Sequence, residues 1–481
     1  MLSNLPPEIL LLIAGHLPSY RDTLRLASCC HQIHRLLAPH AYTTLTLDNS
    51  GLRHLSRLVH TLARNPQLAK AVRALRFTDS SCSHPPHTLY YDRGTIQPFI
   101  ESIASSSDEL VTWEKDLKAG IDTDPWVTLL LLLVPNLEEL GLTFEYPSAY
   151  LRKTIQRVTQ DSGNLTLGRL KEVTFGWWDT EGGLPSSYVR PFFRLPSLRR
   201  FTGHMLRDGY TEDDDECSDS YEDEEAEGEA RVARYPLDEH FSNITHLHLH
   251  YSNSANGLPD LISAPKRLVS FAYEHSGQNG DLDPINPAAF YSSLRKHKES
   301  LEEITVCEDT WSYSVADPLD AQFVGSFTDF TALKRLRLRG QNILDWKDTK
   351  GAGARNTLSD VLPVSLESLT IEAFDECDNA NLTIYLETFV RNVKSHCPNL
   401  VVLEIKGRMR EKDPSTTNWN YTWPRPVPGI TPSYLEMTGY VASLCREANI
   451  RFQLRDPIIE HIVEQNAASV AFQAERERDE L

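Results

Sequence analysis

Apolar residues recur along most of this chain in the pattern L-x-x-L-x-L. The alternation at the end of each copy predicts a short strand with one face turned inward. The clearest copies begin at Leu137, Leu333, Leu366 and Leu400, and looser copies begin at Val72, Leu170, Leu198, Ile244, Leu268 and Leu301. A last strand is predicted close to Ile450.

The spacing between copies is regular. From Leu268 onward, successive copies begin 33, 32, 33 and 34 residues apart. A period of about 30 residues indicates a repeat array, in which each repeat buries its apolar face against its neighbours. Residues 287–299 and 384–396 are helix candidates between the copies. Strands that alternate with helices predict an α/β protein with parallel strands.

The first 45 residues follow a helical period instead. Pro6 and Pro7 suit the first turn of a helix, and Pro18 ends that helix. The apolar residues of this helix are Ile9, Leu10, Ile13 and Leu17. A second helix follows, and a third is expected to end at Pro39. Three short helices form a very small core, so such a unit usually needs a partner to cover its remaining apolar face.

The N-terminal pattern resembles the F-box. The resemblance rests on the opening Leu5-Pro6-Pro7-Glu8-Ile9-Leu10, on Ile13 and Leu17, and on the helix over 29–36. The later pattern resembles the long, irregular leucine-rich repeats that are common in F-box proteins. The resemblance implies an α/β fold with a three-helix F-box at 1–45, a solenoid at 46–455 and a C-terminal helix or tail at 456–481. In such a solenoid the parallel strands line the concave side and the helices the convex side.

The resemblance also implies a function. An F-box protein with these repeats acts as the substrate-recognition subunit of an SCF-type cullin–RING ubiquitin ligase and is not itself an enzyme. The F-box would bind a Skp-type adaptor through Leu5, Pro6, Ile9, Leu10, Ile13 and Leu17. Two alternatives stay open: a repeat scaffold whose N-terminal helices serve as a cap, and an F-box complex that recruits no cullin.

The charge of the chain narrows the choice of partners. A net charge of -19 argues against general nucleic-acid binding, which needs a basic surface. Twelve of the acidic residues lie in the segment 211–229, which is predicted to be a disordered insertion. The longest apolar run, 126–135, is too short to span a membrane. The eight cysteines include no C-x-x-C pair, so we expect reduced thiols and a cytoplasmic or nuclear protein.

Two strands carry polar residues on the face predicted to receive a protein substrate. One row consists of Arg335, Arg337 and Arg339, and the other of His246, His248 and His250. The arginines would either bind an anionic partner or pair with Glu303 and Glu372 on the neighbouring strands. The histidines are spaced too widely for one zinc ion without a further ligand, so a pH-sensitive polar contact is favoured.

Aromatic residues just past the strands complete the candidate substrate surface. Trp177 and Trp311 would either anchor a partner or fill the core between repeats. We find no nucleophile motif, phosphate loop, zinc-protease motif or dinucleotide fingerprint. The sequence therefore predicts neither catalytic residues nor a cofactor or resident metal.

Overall fold

In the computed structural model, the chain forms two units that each contain a parallel β-sheet. The first unit comprises residues 1–246 and 264–266, and the second comprises 247–263 and 267–481. The structure describes residues 5–17, 20–77, 90–144, 149–160, 167–178, 183–207, 237–253, 258–276, 287–308, 322–347, 353–372, 380–407, 409 and 427–479. The predicted acidic insertion at 211–229 and Trp311 lie outside these residues.

The sheet of the first unit grows from successive copies of the apolar pattern. Its strands are β1 (Thr44–Leu47), β2 (Ala74–Phe77), β3 (Glu139–Phe144), β4 (Glu172–Trp177), β5 (Leu184–Pro185), β6 (Arg200–His204) and β7 (Leu206–Arg207). Strands β1, β2, β3, β4 and β6 pair in that order and run parallel, whereas β5 and β7 form a separate pair. Strand β3 begins two residues after Leu137, as the pattern predicted.

Helices connect the strands of the first unit. They are α1 (Pro7–Gly15), α2 (Tyr20–Ala27), α3 (His31–Ala41), α4 (Asn49–Leu52), α5 (Leu55–Arg64), α6 (Pro66–Ala71), α7 (Arg93–Ile103), α8 (Ser107–Ala119), α9 (Asp124–Leu133), α10 (Ala149–Gln160) and α11 (Ser186–Val189). A 3₁₀ turn at Arg190–Arg194 continues α11. No helix within the described residues combines the length and hydropathy that a membrane crossing requires.

The second unit repeats the same strand–helix order. Its strands are β8 (His246–Ser252), β9 (Ser270–His275), β10 (Glu303–Glu308), β11 (Arg335–Arg339), β12 (Ser368–Glu372), β13 (Val402–Lys406) and β14 (Arg451–Arg455). Its helices are α12 (Leu258–Ser263), α13 (Tyr291–Arg295), α14 (Ala380–Arg391), α15 (Val393–His396), α16 (Pro432–Glu447) and α17 (Pro457–Asp479), with 3₁₀ turns at Pro287–Phe290 and Leu358–Asp360. The strands from β9 to β14 pair in sequence order and run parallel.

Alternation along each strand separates a core face from a polar face. In β11, Leu336 and Leu338 are buried, whereas Arg335 lies on the opposite face of the strand and is exposed. The register places Leu336 beside Ile304 of β10 and Leu369 of β12, so one apolar row crosses three strands. The burial of these rows supplies the hydrophobic stabilisation that holds neighbouring repeats together.

Three helices replace a strand between β2 and β3. The first residues of the two flanking copies, Val72 and Leu137, lie 65 residues apart, about twice the usual period. Helix α9 carries the longest apolar run of the chain, and its residues are buried on nearly every side. A helix that is apolar all round must be enclosed by other elements. Helices α5, α8 and α10 pack against α9, which accounts for the enlarged insertion.

The N-terminal helices form a small cluster of their own. Its buried apolar residues are Leu10, Ala14, Ala27, Ile33 and Leu37. The expectation that Pro39 ends the third helix is wrong, because α3 continues to Ala41 with Pro39 inside it. A proline removes one backbone donor and crowds the preceding turn, but here it lies in the last turn of α3, where the helix ends two residues later.

Glu109 joins three segments of the first unit. Ser106 caps the start of α8 by accepting a hydrogen bond from the Glu109 backbone N–H at 3.1 Å. The Glu109 carboxylate accepts hydrogen bonds from the Ser105 N–H and hydroxyl, each at 2.7 Å. It also pairs with Arg157 of α10 at 2.8 Å. Burial raises the pKa of Glu109, but the hydrogen bonds from Arg157 and Ser105 outweigh it and lower the pKa to about 2.

Acidification should therefore weaken the first unit through Glu109. Because its folded pKa lies below its usual value of 4.5, the stabilisation is complete above about pH 5 and is lost as the pH falls towards 2. We expect Glu109→Gln to lower the free energy of unfolding by about 2 kcal/mol at neutral pH and by much less near pH 3, after allowance for the partly exposed Arg157. Urea denaturation of both proteins across this range measures the difference. A difference that does not change with pH would contradict the assignment.

Candidate interaction surfaces

Helix α1 exposes apolar side chains on its outer face. Ile9 is 42% exposed and Leu12 is 60% exposed, and Pro6, Pro7 and Glu8 beside them are also exposed. The large exposed fractions follow from the small size of the three-helix cluster, which cannot bury both faces of α1. An exposed apolar face of this kind is a candidate surface for a partner.

The inner face of α1 holds the cluster together. Leu10 is 2% exposed and packs with Ile33 and Leu37 of α3. Leu5 and Leu11 are partly buried against the same cluster. Of the six residues predicted to bind an adaptor, Pro6 and Ile9 are exposed, Leu5, Ile13 and Leu17 are partly exposed, and Leu10 is buried. Leu10 therefore supports the shape of this surface from within.

Sequence reasoning missed Leu12, the most exposed apolar residue of α1. The run Leu10-Leu11-Leu12 is continuous, so it shows no alternation from which the outer residue can be identified. Helix α3 adds a shallow depression lined by His31, Gln32, Arg35 and Leu36. Helix α3 also packs against α6, so the cluster adjoins the first repeat.

The arginines of β11 already have carboxylate partners. Arg335 donates a hydrogen bond to Glu303 of β10 at 3.0 Å, and this hydrogen bond lowers the pKa of Glu303 below its usual value. Arg337 pairs with Glu372 of β12. Of the two alternatives for these residues, the structure shows the pairing with neighbouring strands. This pairing stabilises contacts between repeats and leaves the binding of an anionic partner as a prediction.

Glu372 is the most deeply buried carboxylate of the polar face. Its side chain is 1% exposed, and its Oε1 lies 2.5 Å from Arg337 Nε and 3.8 Å from Lys406 Nζ. Lys406 on β13 also lies 3.7 Å from Glu404, which in turn faces Arg455 of β14 at 3.4 Å. Charges of alternating sign thus extend across four consecutive strands. A buried carboxylate without these cations would be strongly unfavourable.

Arg339 departs from the predicted exposed row. It is 2% exposed, and its Nη2 donates to the Gln341 side chain at 2.8 Å. The segment 322–327 runs beside this end of β11, because Val324 N–H donates to the Asn342 carbonyl at 3.1 Å. Arg339, at the end of β11 near this segment, is thus buried, whereas Arg335, at the start of the strand, is exposed. Strand alternation alone carries no information about such a segment.

The three histidines of β8 make separate polar contacts. His246 Nδ1 lies 2.9 Å from the Thr245 hydroxyl. His248 Nε2 lies 2.9 Å from the Ser270 hydroxyl of β9, and His250 Nδ1 lies 2.8 Å from the Glu274 carboxylate of β9. Among the described residues, no group of three His, Cys, Asp or Glu side chains is placed to hold a metal ion. The contacts of His248 and His250 are polar links between adjacent strands, whereas His246 contacts its neighbour in the chain.

Trp177 is half-buried at the end of β4. Its indole N–H is buried and, among the residues that the structure describes, has no hydrogen-bond partner. Its neighbour Trp178 is 46% exposed and is the more accessible of the two. Exposed tryptophans often anchor partner proteins, so Trp178 is a better candidate than Trp177 for such a role. Both alternatives for Trp177, partner anchor and core filler, remain predictions.

Comparison with known families identifies two domains. An F-box-like model matches residues 2–48, and a leucine-rich repeat domain model matches residues 234–421. No curated protein matches the chain. The chain therefore contains an F-box-like domain followed by leucine-rich repeats, which confirms the resemblance noted in the sequence. The helices α1 to α3 lie inside the first match, and the strands β8 to β13 lie inside the second.

Proposed function

We propose that this protein is the substrate-recognition subunit of an SCF-type cullin–RING ubiquitin ligase, working in the cytoplasm or nucleus. The combination of an F-box-like domain with leucine-rich repeats is typical of receptors and adaptors of this kind. The observation that carries the proposal is the exposed apolar face of α1 around Ile9 and Leu12. A Skp-type adaptor would bury this face.

The repeats would supply the substrate surface. We infer that within each unit they stack as a solenoid with the strands on its concave side. The proposed substrate residues are those of the polar strand faces, including Arg335, His248 and His250, together with Trp178. In this role the protein performs no bond chemistry. It holds a substrate near a ubiquitin-charged enzyme and so raises the effective concentration of the reacting groups.

One observation favours a second function, a repeat scaffold without a role in ubiquitin transfer. Helix α3 packs against α6, so the N-terminal helices adjoin the first repeat as a cap does. Terminal repeats need such caps to shield their apolar ends. A cap, however, gains nothing from the exposure of Ile9 and Leu12 on its outer side.

Reconstitution distinguishes these functions. The purified chain is mixed with a Skp-type adaptor and a cullin–RING pair, and the complexes are separated by size-exclusion chromatography. Elution of all components together supports the ligase function. Elution with the adaptor but without the cullin would indicate an F-box complex of another kind. Elution of the chain alone would favour the scaffold.

A further inference from the structure

The last strand of the second unit has an open edge. In the part of the chain that the structure describes, β14 pairs with β13 and has no second strand neighbour. The Arg451 N–H donates to the Val401 carbonyl, and the Arg455 carbonyl accepts from the Gly407 N–H. Because backbone groups alternate along a strand, those of Phe452 and Leu454 point to the free edge.

The side chains of β14 are correspondingly less covered. Leu403 and Ile405 of β13 are 0% exposed, whereas their register partners Phe452 and Leu454 are only partly buried. Arg451 and Arg455 stand at the two ends of the strand, and both are exposed. A strand laid along this edge would therefore cover two apolar side chains on one face and meet two cations on the other.

Elsewhere in the same sheet, the arginines of a strand pair with carboxylates on the two neighbouring strands. In β11, Arg335 pairs with Glu303 of β10 and Arg337 pairs with Glu372 of β12, so the strand has an acidic partner on each side. Arg455 of β14 pairs with Glu404 of β13 at 3.4 Å and with Glu460 of α17 at 3.4 Å. Arg451 faces Val402 in the register, and no carboxylate within the described residues forms an ion pair with it. Within the described residues, Arg451 is therefore the arginine of β14 that lacks a carboxylate partner.

We propose that the free edge of β14 binds an extended acidic peptide segment of a partner protein by strand addition. The backbone of Phe452 and Leu454 would provide the hydrogen bonds, as in other cases of peptide addition to a sheet edge. An acidic residue of the peptide would pair with Arg451, and a second one four positions along would lie near Arg455, about 13 Å away at the rise of a strand. Apolar residues between them would cover Phe452 and Leu454.

A second copy of this chain fits the edge poorly. In antiparallel self-pairing, Arg451 of one copy would lie opposite Arg455 of the other, and like charges directly opposite are unfavourable. Charged residues on edge strands generally prevent such self-association. The arginines therefore select an acidic partner. The inference is independent of the proposed function, because it concerns the last repeat and not the N-terminal helices.

Fluorescence anisotropy with the full chain tests this site. The probe is a labelled peptide of sequence Ser-Glu-Ile-Thr-Val-Glu-Gly, and its control carries lysine in place of the two glutamates. We expect the acidic peptide to bind at low salt and the lysine peptide to bind at least about tenfold more weakly. A third peptide with proline in place of threonine should lose binding, since proline disrupts a strand.

Variants of the protein locate the contact. Arg451→Glu should lower the affinity for the acidic peptide by about tenfold and raise the affinity for the lysine peptide, because the change reverses the charge at the edge. Lys394→Glu, on exposed α15, is the matched control and should leave both affinities unchanged. Equal binding of the acidic and lysine peptides by the wild-type protein, or no binding of the acidic peptide, would overturn the proposal. So would a concentration-dependent dimer that Arg451→Glu abolishes, since it would assign the edge to a second copy.

Discussion

Replacing Glu372 with alanine should lower the free energy of unfolding of the second unit by about 3–5 kcal/mol, because it removes the carboxylate that pairs with Arg337 and leaves Lys406 with Glu404 alone. The Glu372 side chain is 1% exposed and pairs with Arg337, which is 30% exposed, and with Lys406, which is 17% exposed. Water can reach neither cation freely, so the loss of the carboxylate leaves both poorly solvated. Hydrogen exchange of the amides in β11, β12 and β13 measures the loss.

A matched control separates burial from charge. Glu303 pairs with Arg335 in the same sheet, but its side chain is 37% exposed and that of Arg335 is 53% exposed. Glu303→Ala should therefore cost less than about 1 kcal/mol, as exposed ion pairs do. The double substitution Arg337→Met with Glu372→Met should recover much of the lost stability, because it removes both charges. Equal effects of Glu372→Ala and Glu303→Ala would show that burial does not decide the strength of these pairs.

Leu10→Asp should unfold the N-terminal helices while the repeats stay folded. Leu10 is 2% exposed at the centre of a cluster with few buried apolar residues. An unpaired carboxylate at this position should cost about 4 kcal/mol, which is comparable to the whole stability of so small a core. Hydrogen exchange should become fast throughout α1, α2 and α3 and stay slow in β3 and β4.

The same substitution two positions along the helix should behave differently. Leu12 is 60% exposed, so Leu12→Asp places its charge in water and should change stability by less than about 0.5 kcal/mol. Comparable protection of α3 in the wild-type protein and in Leu12→Asp is the expected control result. Fast exchange of α3 in both variants would mean that α1 buries its outer face as well, contrary to the structure.

The repeat pattern predicted the strands well because it records burial directly. Strands β11, β12 and β13 each begin two residues after the leucine that opens their copy. The regular spacing is interrupted between Val72 and Leu137, where the chain forms α7, α8 and α9 before the next strand. A doubled spacing shows that something is inserted, but it does not show whether the insertion forms a strand or helices.

The candidate surfaces were harder to predict, because they depend on contacts distant in the sequence. Strand alternation places Arg335, Arg337 and Arg339 on one face, yet Arg339 is buried and Arg335 is exposed. Glu303 and Glu372 were recognised as alternative partners, but the register of parallel strands was needed to pair each with its arginine. The continuous leucines of α1 concealed that Leu10 points inward and Leu12 outward.

The affinity of the purified chain for a Skp-type adaptor, measured by isothermal titration calorimetry, tests the proposed function most directly. The wild-type protein should bind, and Ile9→Asp with Leu12→Asp should weaken binding at least about hundredfold, because the charges replace apolar side chains at the centre of the docking face. The control Val111→Asp with Ile121→Asp changes two residues that are 63% and 80% exposed elsewhere in the first unit, and it should bind as the wild type does. Absence of binding by the wild-type protein, or equal affinity of the Ile9 and Leu12 variant, would contradict an adaptor-docking role for α1.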